Sequence, residues 1–155
     1  YLGDGNNVAA SLAEAGALVG MDVCLSVPEG CDLSLGKTAA IKALADVQGT
    51  RFWVERDPAA AVNGASALYT DVWISMGQQQ DTGKVSSLRP YQLNAELLAK
   101  ARPDAVVMHC LPAHRGDEIT DEVMDGPQSV VFDQAENRLH VQKALMAYLI
   151  GGEPL

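Results

Sequence analysis

Three short segments hold the residues whose types and spacing could do chemistry: Gly3-Asp4-Gly5-Asn6-Asn7, Asp71-Val72-Trp73-Ile74-Ser75-Met76-Gly77 and His109-Cys110-Leu111-Pro112. A fourth, Gln134-Ala135-Glu136-Asn137-Arg138, adds a guanidinium. The neighbouring amides of Asn6 and Asn7 could hold a carboxylate through their NH2 donors. Asparagine is equally suited to capping a helix. Asp71 could bind and orient an ammonium group, or serve as a cap or a salt-bridge partner. Ser75 brings a hydroxyl, and Met76-Gly77 a hinge-like exit. A lone cysteine such as Cys110 is more often a packed small hydrophobe than a nucleophile, yet His109, His114 and Arg115 crowd the same stretch. Arg138 could reach an anion or a developing oxyanion, or simply sit on a helix surface. The His/Cys set is too sparse for a metal site. A dinucleotide fingerprint fails at its third glycine, where Val8 stands.

The elements that must position these segments alternate. Short β-branched runs are expected as strands at Val23–Val27, Arg51–Glu55, Ala67–Thr70, Ala105–His109 and Ser129–Phe132. Between them lie helical stretches at Asn7–Val19, Lys37–Val47, from Asp57-Pro58 onward, Tyr91–Ala101, from Thr120-Asp121 to Gly126, and Asp133–Ile150. This pattern predicts an α/β fold: a Rossmann-like parallel sheet of about five strands with helices on both faces. Tyr1-Leu2 precedes the first glycine turn as a strand cut short, so the chain reads as a piece of something longer. Residues 1–150 are expected to form one domain and residues 151–155 a tail. Gln78–Ser87 is polar and irregular and reads as a surface loop or an active-site lid. In open parallel sheets ligands bind beyond the carboxyl ends of the strands, near the switch point, which is where the three segments fall.

The 155 residues suit about one domain and, at 48% hydrophobic and 20% charged, a globular one. A net charge of −9 argues against nucleic acid as a partner, because phosphate backbones are gripped by clustered Lys and Arg. No apolar run is long enough to span a membrane. Three cysteines without a CxxC pair suggest a reducing, cytoplasmic setting.

Taken in order and spacing, the Gly3–Asn7 turn, Asp71-Val72-Trp73-Ile74-Ser75-Met76-Gly77, His109-Cys110-Leu111-Pro112 and Ala135-Glu136-Asn137-Arg138 resemble the ornithine carbamoyltransferase family. The resemblance covers only the second, ornithine-binding half; the N-terminal half with its Ser-Thr-Arg-Thr phosphate-binding segment has no counterpart. It implies a carbamoyltransferase that moves the carbamoyl group of carbamoyl phosphate to the δ-amine of L-ornithine, giving L-citrulline and phosphate in arginine biosynthesis. By matching positions, Asn7, Asn6, Asp71, Ser75 and Met76 would hold ornithine. Cys110, Leu111, Arg138 and His109 would face carbamoyl phosphate, with Cys110, Asp71 and Arg138 as the catalytic set. No metal or organic cofactor is implied. Partners would be the two small-molecule substrates, the missing N-terminal domain and further copies of the chain, a trimer in the family.

An alkyl amine with a pKa near 10.4 must lose a proton before attacking, which a low-dielectric pocket assists. Arg138 on a tetrahedral oxyanion would contribute roughly 3–4 kcal/mol. Two other readings share these motifs: a related carbamoyltransferase for putrescine or a modified ornithine, and a stand-alone amino-acid-binding module. The chain alone is expected not to turn over. The resemblance also implies a cis Leu111–Pro112 bond. Residues 144–150 are apolar all round, which one sheet surface cannot cover, so they need a second partner.

Overall fold

The computed structural model describes residues 1–74 and 82–152. Its helices are α1 (Asn7–Leu18), α2 (Leu35–Gln48), α3 (Pro58–Val62), α4 (Thr82–Leu88), α5 (Ala95–Leu98), α6 (Asp121–Met124) and α7 (Val131–Gly151). The strands are β1 (Val23–Leu25), β2 (Phe52–Val54), β3 (Ala67–Thr70) and β4 (Val106–His109), and a 3-10 turn covers Arg89–Tyr91. The strands form two parallel pairs, β1 with β2 and β3 with β4, flanked by helices. Leu2 joins the pairs, bridging in parallel to both Ser26 and Thr70. Its N–H donates to the Tyr69 carbonyl at 2.9 Å, and Gly3 N–H to the Ser26 carbonyl at 3.0 Å. From one edge the segments therefore run β2, β1, Leu2, β3, β4. The chain reverses direction across the sheet at Leu2, which makes the crevice between Gly3 and Asp71 the switch point.

Local sequence explains the framework. Asn6 caps α1, its Oδ1 accepting from Val8 and Ala9 N–H, and Ser34 and Asp57 cap α2 and α3 in the same way. Ala9, Ala13 and Ala17 bury the face of α1 that packs on α2 and β1. Small side chains are needed there, because a Cβ on Gly16 would lie 2.6 Å from Val23. Two apolar cores result. One gathers α1, α2, Leu25, Phe52 and Trp73; the other gathers Leu2, Leu68, Val107, Ile119 and Val131.

Several expected elements differ from what forms. The helix foreseen over Tyr91–Ala101 shrinks to α5, because Leu93 pairs with the remote Ile119 and holds the chain extended. Asn94 then caps a new turn by accepting from Leu97 N–H. The strand foreseen at Ser129–Phe132 is a single bridge between Ser129 and Val107; Val131 already opens α7, with Gln134 N–H on the Val130 carbonyl. Among the described residues the strands therefore number four, in two pairs, in place of one five-stranded sheet. Of the irregular Gln78–Ser87 stretch, residues 82–87 belong to α4, and residues 78–81 lie outside the described residues. Gly151, foreseen as the start of a tail, is the last residue of α7.

Candidate active site

Asn6, Asp71 and Cys110 converge at the switch point. Strand alternation turns Tyr69 and Asp71, and likewise Met108 and Cys110, to one side, and the register pairs Thr70 with His109. Cys110 Sγ donates to Asp71 Oδ1 at 2.8 Å, and Asn6 Nδ2 donates to Asp71 Oδ2 at 2.9 Å. Val72 N–H donates to Asp71 Oδ1 at 2.7 Å. A carboxylate offers roughly four lone-pair sites, so among the described residues these donors leave one, on Oδ2. Asn6 thus caps α1, as one reading of its sequence expects, and its amide NH2 steers Asp71. Tyr1 OH adds a bond to Asn6 Oδ1 at 3.3 Å.

Burial, and then the hydrogen bond and charge of Asp71, push the Cys110 thiol up to about 12. At neutral pH the sulfur is a protonated donor and not a nucleophile. Burial also raises the Tyr69 hydroxyl to about 12 and the Tyr1 hydroxyl above its usual range.

Beside Cys110 lies a cavity of about 640 Å³, lined in part by Leu111, Phe132, Arg115 and Arg138. The two arginines differ. Arg115 is held by Asp121 at 2.8 Å and by Asp125 at 2.6 and 2.9 Å. Arg138 is exposed on α7 and forms no ion pair among the described residues. Its charge is available to a ligand. Asn7 opens α1 with an exposed side chain that makes no hydrogen bond among the described residues. Ser75 and Met76 lie outside the described residues.

His109 does not face this pocket, although the family pattern groups it with the carbamoyl-phosphate contacts. Its ring is fully buried, with Nε2 against Glu118 Oε1 at 3.1 Å and Nδ1 accepting Leu111 N–H at 2.8 Å. The Leu111 contact requires a bare Nδ1, so the proton sits on Nε2 and points to Glu118. Both ring nitrogens are occupied, and no ligand can reach them. What His109 does is anchor Leu111, a leucine at φ 55°, in the left-handed region that side chains seldom enter. The Leu111–Pro112 peptide is cis, as expected.

The glycine turn is built against its own chain. Gly5 N–H donates to the Cys31 carbonyl at 2.8 Å, and a Cβ at Gly5 would collide with that oxygen. The second glycine therefore admits residues 31–33, not a pyrophosphate. Lys84 of α4 pairs with the buried Asp4 at 2.8 Å and ties α4 to the turn. Sequence reasoning passed over Tyr69, Glu118 and the amide of Gln134. Only Tyr69 carried a signal, standing two residues before Asp71 on the same side of a strand.

Residues 1–149 match the aspartate/ornithine carbamoyltransferase, Asp/Orn binding domain, family. An ornithine carbamoyltransferase from Rhodococcus opacus is 56% identical over 152 residues, 97% of this chain and 48% of the relative. The solved ornithine carbamoyltransferase from Pyrococcus furiosus superposes with a TM-score of 0.93 at 48% identity, over 99% of this chain and 50% of the other. That from Gloeobacter violaceus gives 0.88 at 48% identity, over 97% of this chain and 50% of the other. The chain spans about half the length of the curated relatives it matches. The matched span of residues 1–149 contains the turn, the Asp71 segment, the Cys110 segment and Arg138, and the chain belongs to the aspartate/ornithine carbamoyltransferase family as its Asp/Orn binding domain.

Proposed function

We propose that this chain is the ornithine-binding part of an enzyme that transfers a carbamoyl group from carbamoyl phosphate to the δ-amine of L-ornithine, giving L-citrulline and phosphate. The observation that carries the reading is Asp71, a carboxylate held at the switch point by Asn6 and Cys110 with one acceptor site left by the described residues. An α-ammonium group would take that site through a charge-assisted hydrogen bond. Asn7, at the start of α1, would receive the α-carboxylate, with Ser75 and Met76 completing the pocket. The δ-amine would then extend toward Cys110 and the Arg138 side of the cavity.

Once the amine attacks, negative charge gathers on the carbamoyl oxygen, and Arg138 would meet it with a charge it spends on no other described residue. Among the described residues of the cavity the departing phosphate has no comparable holder, since Arg115 is spent on Asp121 and Asp125. A phosphate cradle would come from the other half of the relatives' length. That half would also cover the apolar end of α7, where Leu149 and Ile150 are 76% and 85% exposed. Assembly as a trimer and a cytoplasmic location, in keeping with three free cysteines, belong to the same proposal.

The test is a substrate panel on a protein carrying both halves. Turnover of L-ornithine well above putrescine and N-acylated ornithine supports the reading. Preference for either competitor replaces it with the related-enzyme reading. Binding of an amino acid without turnover by any form points to a binding module.

A further inference from the structure

Of the 21 residues of α7, only Val131 and Gln134 are not exposed. Val131 is fully buried in the first turn. Gln134, one turn on, reaches two strands at once with its amide. Its Oε1 accepts the backbone N–H of His109 on β4 at 3.1 Å, and its Nε2 donates to the Tyr69 hydroxyl on β3 at 3.1 Å. A backbone N–H can only donate, so the carbonyl must face His109 and the amide cannot flip. From position 135 to the end of α7 every residue is exposed. The hydrogen bonds of Asn137 and His140 stay inside the helix, on Asp133 and Glu136.

One buried residue fixes where a helix sits but leaves it free to roll about its own axis. Two further bonds, to neighbouring strands, stop the roll. What the roll controls is Arg138. It follows Gln134 by four residues, which puts it on the same face of the helix and about 6 Å further along. There it lines the cavity beside Cys110 and forms no ion pair among the described residues.

We propose that Gln134 is a positioning residue: its amide sets the roll of α7 and so aims the Arg138 guanidinium at the cavity. The need for that aim rests on the carbamoyl-transfer reading, in which Arg138 meets the developing oxyanion; the anchoring itself does not. A guanidinium on a flexible stem takes its placement from the helix that carries it. A misplacement of about 1 Å at a reacting centre can cost about 10²-fold in rate.

The test has two arms. Without substrate, hydrogen exchange of the 155-residue chain is read peptide by peptide by mass spectrometry. It compares the parent with Gln134→Leu, which keeps a similar volume and removes both bonds. Amides over residues 131–138 should exchange at least about threefold faster, with those of α1 unchanged. With substrate, in a protein carrying both halves, Gln134→Leu should lower kcat about 10- to 100-fold and leave KM for L-ornithine within about twofold. In an Arg138→Ala background the same substitution should change kcat by less than about twofold, because the group it places is gone. Gln134→Glu keeps an acceptor for His109 N–H and a second oxygen to which Tyr69 can donate, and should stay close to the parent in both arms. An unfolding midpoint for each variant confirms the fold, and Gln134→Met, likewise without the amide, takes the place of Gln134→Leu if that variant does not fold. Unchanged exchange over 131–138, an equal loss of kcat in the parent and Arg138→Ala backgrounds, or a Gln134→Glu as impaired as Gln134→Leu overturns the proposal. A parent protein that makes no citrulline overturns the carbamoyl-transfer reading instead, and the exchange arm still decides the anchor.

Discussion

His109 and Cys110 are neighbours in sequence with opposite fates. The His109 side of β4 is closed: a fully buried ring, Glu118 beneath it and the Leu111 N–H above it. The Cys110 side is open, with its thiol on Asp71 and a cavity beside it. Strand alternation sends adjacent residues to opposite faces, and here that parity divides labour. The closed network shapes the loop, and the open one presents groups to a ligand. Substitutions on the closed side should register as stability, and those on the open side as activity.

The two arginines of the cavity offer the widest test of that division. In a protein carrying both halves, Arg138→Ala should lower citrulline formation about 10²–10³-fold, the usual cost of one oxyanion donor. Its unfolding midpoint should stay near that of the parent, since no described residue relies on it. Arg115→Ala should do the reverse, with a lower midpoint from the loss of Asp121 and Asp125 and turnover within a few-fold. Equal kinetic losses for the two would erase the distinction drawn between them.

On the closed side, Glu118→Ala should cost roughly 1–3 kcal/mol in urea unfolding, because the buried His109 ring N–H then lies without an acceptor, while the exposed His114 N–H can turn to water. Glu118 Oε1 accepts from both His109 Nε2–H and His114 N–H. A change under about 0.5 kcal/mol would show that the network is not holding the loop.

The division was only partly legible in the sequence. Asn6, Asp71 and Cys110 stand out because each ends an element at the predicted switch point, a rule that needs no tertiary contact. The side taken by His109 follows from parity once β4 is located. Glu118 and Gln134 look like ordinary surface residues, and only the fold brings them to His109 and Tyr69. The expected helix over 91–101 failed for the same reason, since Leu93 is claimed by Ile119, far along the chain.

A smaller effect separates the sides by pH. The Cys110 thiol, ordinarily near 9, is held at about 12 in the fold. Between those values the unfolded chain gives up its thiol proton while the folded chain keeps it, so stability falls as pH rises from about 9 to about 12. Tyr69, raised from 10 to about 12, adds to the fall over the upper part of that window. Cys110→Ala should flatten the slope of unfolding free energy against pH in this range and leave it unchanged below about pH 8. A steady slope in both proteins would mean that the thiol is not buried as described.

The last contrast is between these packed networks and the end of α7. Leu145, Met146, Leu149 and Ile150 are exposed at 45%, 54%, 76% and 85%. Burying such a side chain is worth roughly 1.5–3 kcal/mol, enough to drive association of an isolated chain. Light scattering on the 155-residue chain should show mass rising with concentration, and truncation after Lys143 should abolish the rise. A chain that stays monomeric at high concentration would show that this face needs no cover.

The central claim is that Asp71 holds the substrate amino acid, and a paired comparison in a protein with both halves tests it most directly. Asp71→Asn is set against Ser26→Ala, a buried hydroxyl outside the site that makes no hydrogen bond among the described residues. Removing one partner of a buried charged hydrogen bond costs roughly 2–5 kcal/mol, or tens- to thousands-fold in kcat/KM. The expected result is that loss for Asp71→Asn, turnover within about twofold of the parent for Ser26→Ala, and no citrulline from the 155-residue chain alone. Matching kinetics for the two variants would contradict it.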